Sequence, residues 1–444
     1  MARFRSKDDR LLGNAGTWAS LRQASAPVPS TALTRFFPIP WIESETMMTK
    51  RSWTRRAFVK QVAGLSCAAG GLSVFGFGHA AEVALRPSEV GPHTLTTIRG
   101  TPRERGRQYG RAFRTEICDF LDREIYAPFA QISGNTKAKM LDYARRCSEA
   151  VSDYSPILSD EVAGAAEGAG LKVEELVLIT LHEELYHRGV LPSVDHCTVA
   201  AAGPPETADG HAYVGQTWDW MQSVYGLSTM LLWDRPEGPS LLSYAYPGLW
   251  AGAGVNEAGI ALCWTTATDE QGIPGPRVGI PSYLLIAQIL YQESLDAAVE
   301  EARRARHAGW FTFVLADGEG RLANIEGSPR ELAVEFDRGH MARHNYGSRQ
   351  MTGVPEGAPP RLNAQCQHMK DLLAGARGRL DCSTLQSFLG DHQFPICKSD
   401  GTIDGLLFDT TSRVAYVTRG PSYSGRWKRF SFEDRAAGTK PAST

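Results

Sequence analysis

The stretch HCTVAAAGPPETADGHAYVGQTWDW, residues 196–220, decides how we interpret the fold of this 444-residue chain. Two segments typical of strands, at residues 198–202 and 211–216, flank an Asp-Gly pair, which is a strong signal for a β-hairpin. In an antiparallel pair the start of one strand lies beside the end of its partner. The sequence therefore predicts that Cys197 and Asp219 are neighbours.

The hairpin separates a mainly helical part of the sequence from a part rich in predicted strands. Before it, apolar residues recur at helical spacing through most of residues 102–187. After it, strand segments dominate, with helices expected at residues 281–291 and 294–305 and after a Gly/Pro stretch at 353–360. The remaining predicted strands are residues 94–98, 228–233, 241–246, 259–266, 311–316, 322–326, 332–336, 405–408 and 414–418. This order favours an α+β protein with antiparallel sheets covered by helices.

Residues 48–81 have the pattern of a secretory signal peptide. The segment TRRAFVK, residues 54–60, matches a twin-arginine signal and precedes a run rich in Gly, Ala and Ser. That run is shorter than the ~20 apolar residues a spanning helix needs, so we expect no stable membrane anchor. Cleavage after Ala80 or Ala81 would deliver the protein to the periplasm or outside the cell. Residues 1–47 are expected to be disordered or not translated, with the start at Met47 or Met48.

The net charge and the spacing of the cysteines argue against a nucleic-acid-binding protein and against a metal-binding protein. The formal net charge of −2 argues against nucleic acid as a partner. None of the eight cysteines forms a CxxC pair or a metal-ligand cluster, and no metal or other cofactor is implied. After loss of Cys67 with the signal, six cysteines besides Cys197 remain, and the sequence leaves open whether they pair or stay reduced.

Cys197 is the candidate nucleophile. Cysteine hydrolases usually need an imidazole base, but His196 is adjacent, and neighbouring residues on a strand face opposite ways. If the chain were cut between His196 and Cys197, the new α-amine would titrate near 8 and could act as the base. The pattern therefore predicts an N-terminal nucleophile made by self-cleavage.

Motifs on both sides of Cys197 resemble the isopenicillin-N acyltransferase family of N-terminal nucleophile hydrolases. They cover roughly residues 94–420 and occur in the family's order: Gly100 with GRQYG at 106–110, EGAG at 167–170, CT at 197–198, DGH at 209–211, GQTWDW at 215–220, GVNEAGI at 254–260, residues 311–318, RHNY at 343–346 and PIC at 395–397. The resemblance implies an αββα sandwich, an acyl-transferring or amide-cleaving activity, and a small-molecule amide or acyl substrate.

Carried over residue by residue, the resemblance assigns roles to the candidate site. Cys197 is the nucleophile, Asp219 holds the free amine, and Asn256 helps to form the oxyanion hole. Asn345 and Arg361 match supporting or substrate-binding positions, the latter by a looser alignment, and Trp218 is a candidate for lining the pocket. The family usually has Gly before the nucleophile, and His196 at that position is expected to slow the cut by restricting the backbone.

These interpretations combine into one prediction. The mature enzyme is expected to be a nicked pair of associated chains, a mainly helical short chain of residues 82–196 and a catalytic long chain of residues 197–444, which cleaves an amide bond or transfers the acyl group to an amine. The alternatives are a conventional cysteine peptidase with a distant His, and a non-catalytic binding protein that kept the fold.

Each candidate residue also has a plainer explanation. Cys197 could be a small buried apolar residue, Asp219 an ion-pair partner, Asn256 a turn residue and Trp218 part of the core. Glu183 and Glu184 are expected on a solvated helix face or as a structural pair.

Overall fold

The structure, a computed structural model, describes residues 91–130, 136–186, 197–220, 222–266, 277–344, 364–394 and 396–436. The predicted signal peptide and the stretch before it lie outside the described residues. So do three residues of the predicted site, namely His196, Asn345 and Arg361.

Helices form the first part of the described chain, as the apolar spacing predicts. They are α1 (Pro102–Ala112), α2 (Arg114–Phe120), a π-helical turn (Leu121–Tyr126), α3 (Ala127–Ala130), α4 (Lys137–Tyr154), α5 (Pro156–Ala169), α6 (Val173–Thr180) and α7 (His182–Tyr186). No helix in the described ranges combines the length and apolarity needed to cross a membrane.

The glycines of the first two family motifs allow α1 and α5 to pack closely. A Cβ at Gly106 would lie 2.0 Å from the carbonyl oxygen of Glu161, and one at Gly110 would lie 2.1 Å from that of Ala165. Real side chains do not tolerate such contacts, so these positions require glycine. In the second motif, a Cβ at Gly168 would lie 2.4 Å from the carbonyl oxygen of Arg107, so the motifs at residues 106–110 and 167–170 both have a packing role.

Two sheets form the middle of the fold. The strands are β1 (Leu95–Ile98), β2 (Val199–Ala202), β3 (Tyr213–Asp219), β4 (Thr229–Trp233), β5 (Leu241–Ala245), β6 (Ala253–Asn256), β7 (Ala261–Thr265), β8 (Phe311–Ala316), β9 (Leu322–Gly327), β10 (Leu332–Asp337), β11 (His340–Arg343), β12 (Thr402–Asp409), β13 (Val414–Arg419) and β14 (Lys428–Ser431). An eight-stranded sheet has the order β1-β4-β5-β6-β7-β8-β9-β10, and a six-stranded sheet has the order β11-β2-β3-β12-β13-β14. All ladders are antiparallel except that between β1 and β4.

The two sheets pack face to face and helices cover their outer faces. Val199 and Leu406 of the six-stranded sheet share one apolar core with Val255 of the eight-stranded sheet. The outer face of the six-stranded sheet packs on α10 (Ala364–Gly375) and α11 (Cys382–Leu389). The outer face of the eight-stranded sheet lies against the N-terminal helices and two further helices, α8 (Ser282–Leu290) and α9 (Leu295–Arg304). The predicted αββα architecture is confirmed.

Local details differ from the sequence prediction. The β2–β3 ladder ends at the pair Ala202 and Tyr213, so the hairpin has a long loop over residues 203–212 and not a two-residue turn. The Asp-Gly pair lies inside that loop, and Gly210 has the positive φ of +74° that favours glycine. Three strands, β6, β11 and β14, were not predicted. They are only four residues long, and their pairing to neighbouring strands stabilises them where local propensity is weak.

The seven described cysteines are all free thiols. Of the two alternatives for these cysteines, pairing and the reduced state, the structure favours the reduced state.

Candidate active site

The β2–β3 pairing brings Cys197 and Asp219 together. Val199 is paired with Gln216. Beyond that pair the backbone N–H of Thr217 donates to the Thr198 carbonyl at 3.1 Å, and the Thr198 N–H donates to Oγ1 of Thr217 at 3.1 Å. The backbone N–H of Asp219 then lies close enough to the Cys197 thiol to lower its pKa. The structure therefore places Cys197 and Asp219 next to each other, as the hairpin pattern predicts.

The Cys197 thiol is buried, with 8% of the residue exposed. Burial raises its pKa to about 12, and the negative charge of Asp219 adds to this effect, whereas the Asp219 N–H and the Lys398 ammonium act in the opposite direction. A thiol with this pKa is almost entirely protonated at neutral pH, and the thiolate is the reactive form. A nearby base must therefore take its proton before it can attack a carbonyl.

Asp219 is held in place by β12 and by the turn before it. Its Oδ1 accepts a hydrogen bond of 2.6 Å from the Thr402 hydroxyl, and its Oδ2 lies 2.9 Å from the Lys398 ammonium. Burial raises the pKa of the carboxyl above its ordinary value, although Lys398 and Thr402 offset part of this effect. The carboxylate is thus buried but compensated, as a buried charge must be.

Lys398 was missed from the sequence. It directly follows the motif at residues 395–397 that carried part of the family resemblance. Its backbone N–H donates to Oγ1 of Thr402 at 2.8 Å, and its carbonyl accepts from the Thr402 N–H at 3.1 Å. This turn points the lysine side chain at Asp219, and the motif's position was the signal that could have identified it.

Trp218 lies in the core between the two sheets. Its ring centroid is 5.0 Å from that of Tyr244, 5.6 Å from that of Tyr246 and 6.4 Å from that of Trp264. Only 3% of the residue is exposed. The plainer interpretation of Trp218 fits this placement.

The expected role of Asn256 in the oxyanion hole needs correction, because the structure places this residue at the opposite end of the sandwich from Cys197. Strand β6 begins just after Gly252, at the end of the sandwich that contains Cys197. A Cβ at Gly252 would lie 2.5 Å from Cη2 of Trp218. The far end carries Asn256 and the following turn, in which a Cβ at Gly259 would lie 2.9 Å from the Thr410 carbonyl. Thr410 follows the end of β12 that is paired with Tyr213 and not with Asp219.

The nitrogen and the oxygen of the Asn256 amide both have hydrogen-bond partners at this position. Its Nδ2 donates to the carbonyls of Leu290 at 2.9 Å and Gln292 at 2.7 Å, and its Oδ1 accepts from the Ile260 N–H at 2.9 Å. An amide nitrogen has only two donors. Asn256 therefore joins the β6–β7 turn to the end of α8, and this arrangement does not give it the oxyanion role that the resemblance implied.

Of the two alternatives for Glu183 and Glu184, the solvated face is wrong, since both residues are buried, and the structural pair remains. Glu184 Oε1 accepts from the Ser282 N–H at 2.9 Å and its hydroxyl at 2.7 Å. Glu183 Oε1 accepts from the Tyr283 hydroxyl at 3.1 Å. Burial and the neighbouring Glu184 raise the pKa of Glu183 to about 8. The helical spacing could not reveal this, because α8, which covers α7, comes almost a hundred residues later in the chain.

The chain is similar in sequence to an acyltransferase family. The family model described as acyl-coenzyme A:6-aminopenicillanic acid acyl-transferase matches residues 206–352. The Emericella nidulans acyl-coenzyme A:6-aminopenicillanic-acid-acyltransferase 40 kDa form is 25% identical over 341 residues, which cover 73% of this chain and 92% of that protein.

Two solved structures are also similar. Penicillin V acylase from Agrobacterium tumefaciens has a TM-score of 0.38 and 11% identity, over 53% of this chain and 86% of that chain. A variant of conjugated bile acid hydrolase from Clostridium perfringens has a TM-score of 0.39 and 13% identity, over 54% of this chain and 93% of that chain.

Proposed function

Because the chain is a relative of the acyl-coenzyme A:6-aminopenicillanic-acid acyltransferases within the N-terminal nucleophile hydrolases, and is an enzyme that acts on carbon–nitrogen bonds, we propose that Cys197 is its nucleophile. The observation that carries this proposal is that Asp219 lies close enough to the Cys197 thiol to affect its pKa, and that its carboxylate is fixed by Thr402 and Lys398. Self-cleavage between His196 and Cys197 would free the α-amine of Cys197 beside that carboxylate.

The freed amine supplies the base that the thiol needs. A model α-amine titrates near 8, so a useful fraction is neutral at working pH and can take the thiol proton. A carboxylate beside it holds the resulting ammonium in place. The high pKa imposed on the thiol by burial makes this pairing necessary, and the charge of Lys398 lowers the cost of forming a thiolate beside Asp219.

Turnover then follows in two steps, acylation of Cys197 and hydrolysis of the thioester. The thiolate adds to the acyl carbonyl of the substrate, and the tetrahedral intermediate expels the amine, which takes its proton from the Cys197 ammonium. Water then attacks the thioester, its proton passes to the amine of Cys197, and the carboxylic acid leaves. If an amine attacks in place of water, the acyl group is transferred.

The substrate is a small acyl-amide or peptide-like molecule. Hydrolysis is the favoured outcome, since coenzyme A is scarce outside the cytoplasm, and acyl transfer to an amine is the variant. The twin-arginine pattern of residues 54–60 supports export to the periplasm or beyond. The short chain of residues 82–196 and the long chain of residues 197–444 stay associated.

Self-cleavage takes place between the Cys197 thiol and the carbonyl of residue 196, and the thiol proton passes to the departing amide nitrogen. The thiol adds to the carbonyl of residue 196, an N-to-S shift gives a thioester and the free amine, and water opens the thioester. His196 has a side chain where the family usually has Gly, and the reduced backbone freedom is expected to slow the step. Exchange of His196 for Gly should therefore accelerate the cut.

Intact-mass measurement with N-terminal sequencing tests the proposal. Purified protein should give two chains, the longer beginning Cys-Thr-Val-Ala-Ala, and Cys197→Ala should stay whole. Cys197→Ser, a weaker nucleophile, should cut slowly. A wild-type preparation that remains one chain, with Cys197 inert to alkylation, contradicts the mechanism and favours a non-catalytic binding protein. Activity that depends on one distant His in an uncut chain would indicate a conventional cysteine peptidase.

A further inference from the structure

Gln216 presents a buried hydrogen-bond donor that has no partner. The residue is fully buried on β3, and its Oε1 accepts a hydrogen bond of 2.8 Å from the backbone N–H of Trp264 on the facing sheet. Its Nε2 has no hydrogen-bond partner. An unmade hydrogen bond of this kind costs about 1 to 3 kcal/mol, so such groups are rare in native proteins.

The orientation of this amide is fixed by its partner. A backbone N–H is a donor, so only the oxygen of the Gln216 amide can face Trp264. The Nε2 group must therefore point away from that contact. A flipped amide would bring two donors together and leave the oxygen without a partner, which makes the assignment firm on chemical grounds.

Gln216 and Cys197 lie on the same face of the six-stranded sheet. Gln216 is paired with Val199, and side chains alternate between faces, so Cys197 shares the face of Val199. That face is the inner one, since Val199 packs in the core between the sheets, whereas Ala200 packs against the outer helices. Residues in this diagonal relation are about 7 to 8 Å apart at Cα, within reach of a long side chain.

The electrostatics agree with this placement of the thiol. Burial raises the pKa of Cys263, a residue of β7 that adjoins Trp264, and the nearby Cys197 adds to this effect. The Cys197 thiol and the Gln216 amide thus both face the same strand of the opposing sheet.

We propose that Nε2 of Gln216 donates a hydrogen bond to the oxyanion that forms when Cys197 attacks the substrate carbonyl. This inference rests on the proposed function. The sulfur–carbon bond forms as the carbonyl π pair moves to oxygen, Nε2–H bonds that oxygen without transferring its proton, and the π pair returns as the carbon–nitrogen bond breaks. A donor that is fixed before the reaction needs no reorganisation at that moment. Asn256 does not supply this donor, because its amide nitrogen is bonded to two carbonyls at the far end of the sandwich.

The test compares Gln216→Met with wild type on an acyl p-nitroanilide that the wild-type enzyme hydrolyses. Methionine keeps the length and apolar volume but has no donor. We expect kcat to fall about 100-fold or more, with KM changed by less than about threefold. The rate of Cys197 alkylation by iodoacetamide, and its pH dependence, should stay unchanged, because the proposed bond exists only once the oxyanion forms.

Two variants separate this role from a structural one. Val214→Ala removes apolar volume from the same strand and the same inner face, and should lower the melting temperature while kcat is retained. Gln216→Asn keeps the amide but withdraws its donor by about one carbon–carbon bond, so it provides a second test if the methionine variant does not fold. It should fold and still lose kcat.

Wild-type kcat in a folded Gln216→Met or Gln216→Asn variant overturns the inference. So does a parallel loss of alkylation rate, which would mean that the donor serves the thiolate. Failure of the proposed function looks different, because wild type would then have no activity that Cys197→Ala abolishes.

Discussion

The Lys398 ammonium lies 2.9 Å from Oδ2 of Asp219, and the lysine side chain is itself only 14% exposed. The pair joins β3 to the turn that leads into β12, with the Thr402 hydroxyl bonded to the other carboxylate oxygen. A buried carboxylate without such partners would take up a proton. Lys398 therefore favours the negative form of Asp219 beside Cys197, which is the form needed to hold the ammonium of a free N-terminal cysteine.

Lys398→Met should lower turnover by about 10- to 100-fold. The lysine lowers the pKa of Asp219, so its loss raises that pKa and leaves more of the carboxyl neutral at working pH. The acidic limb of the kcat profile should therefore move to higher pH. Lys398→Arg should retain most activity, and Lys428→Met, which removes a lysine bonded to the His93 carbonyl, should change neither quantity. An unmoved acidic limb would show that Lys398 does not act through Asp219.

Asn256→Ala should destabilise the fold and leave catalysis unchanged. The variant removes hydrogen bonds to Leu290, Gln292 and Ile260, and at about 1 to 3 kcal/mol for each buried group left unpaired we expect a loss of about 2 to 5 kcal/mol. Urea unfolding measures the loss, and kcat per folded molecule should match wild type. A folded variant with unchanged stability and a 100-fold lower kcat would return Asn256 to the oxyanion hole.

Glu183→Gln should stabilise the fold at pH 8 and have little effect at pH 5. The folded-state pKa of about 8 lies above the value of about 4.3 expected in the unfolded chain, so the folded state binds more protons between these values. Stability therefore falls as pH rises through this window, and the neutral amide, which can still accept from Tyr283, removes that loss. We expect a gain of about 2 to 5 kcal/mol at pH 8.

Chemical unfolding in a Cys197→Ala background, where the chain stays whole, gives this measurement. Glu319→Gln, at an exposed position, is the matched control and should show no such dependence on pH. Equal stability of the Glu183→Gln variant and its parent at both pH values would mean that Glu183 is ionised in the folded protein.

Exchange of Arg55 and Arg56 for lysine together should hold the protein in the cytoplasm. The twin-arginine route requires the arginine pair, and lysine keeps the charge while changing the group that is recognised. Immunoblots of cytoplasmic and periplasmic fractions measure the outcome. Exchange of Arg51 for lysine, outside the twin-arginine core, is the control and should leave export unchanged. Normal periplasmic appearance of the double variant would show another route of export.

Sequence alone determined the features that depend on short stretches of chain. The helical spacing of residues 102–187 and the strand pattern around residues 196–220 set the α+β class and the pairing of Cys197 with Asp219. A hairpin brings together residues that are close in sequence, so its pairing follows from local pattern and alternation. The order of the motifs added the αββα architecture by resemblance.

Tertiary structure decided the rest, because it depends on which distant strands pair and which helices cover them. Lys398 reaches Asp219 only through the pairing of β12 with β3. Glu183 is bonded to Tyr283 of α8, and Asn256 lies away from Cys197 because β6 runs toward the far end of the sandwich. The fixed amide of Gln216 depends on a hydrogen bond between two sheets. Such contacts join residues far apart in the chain, and no local spacing records them.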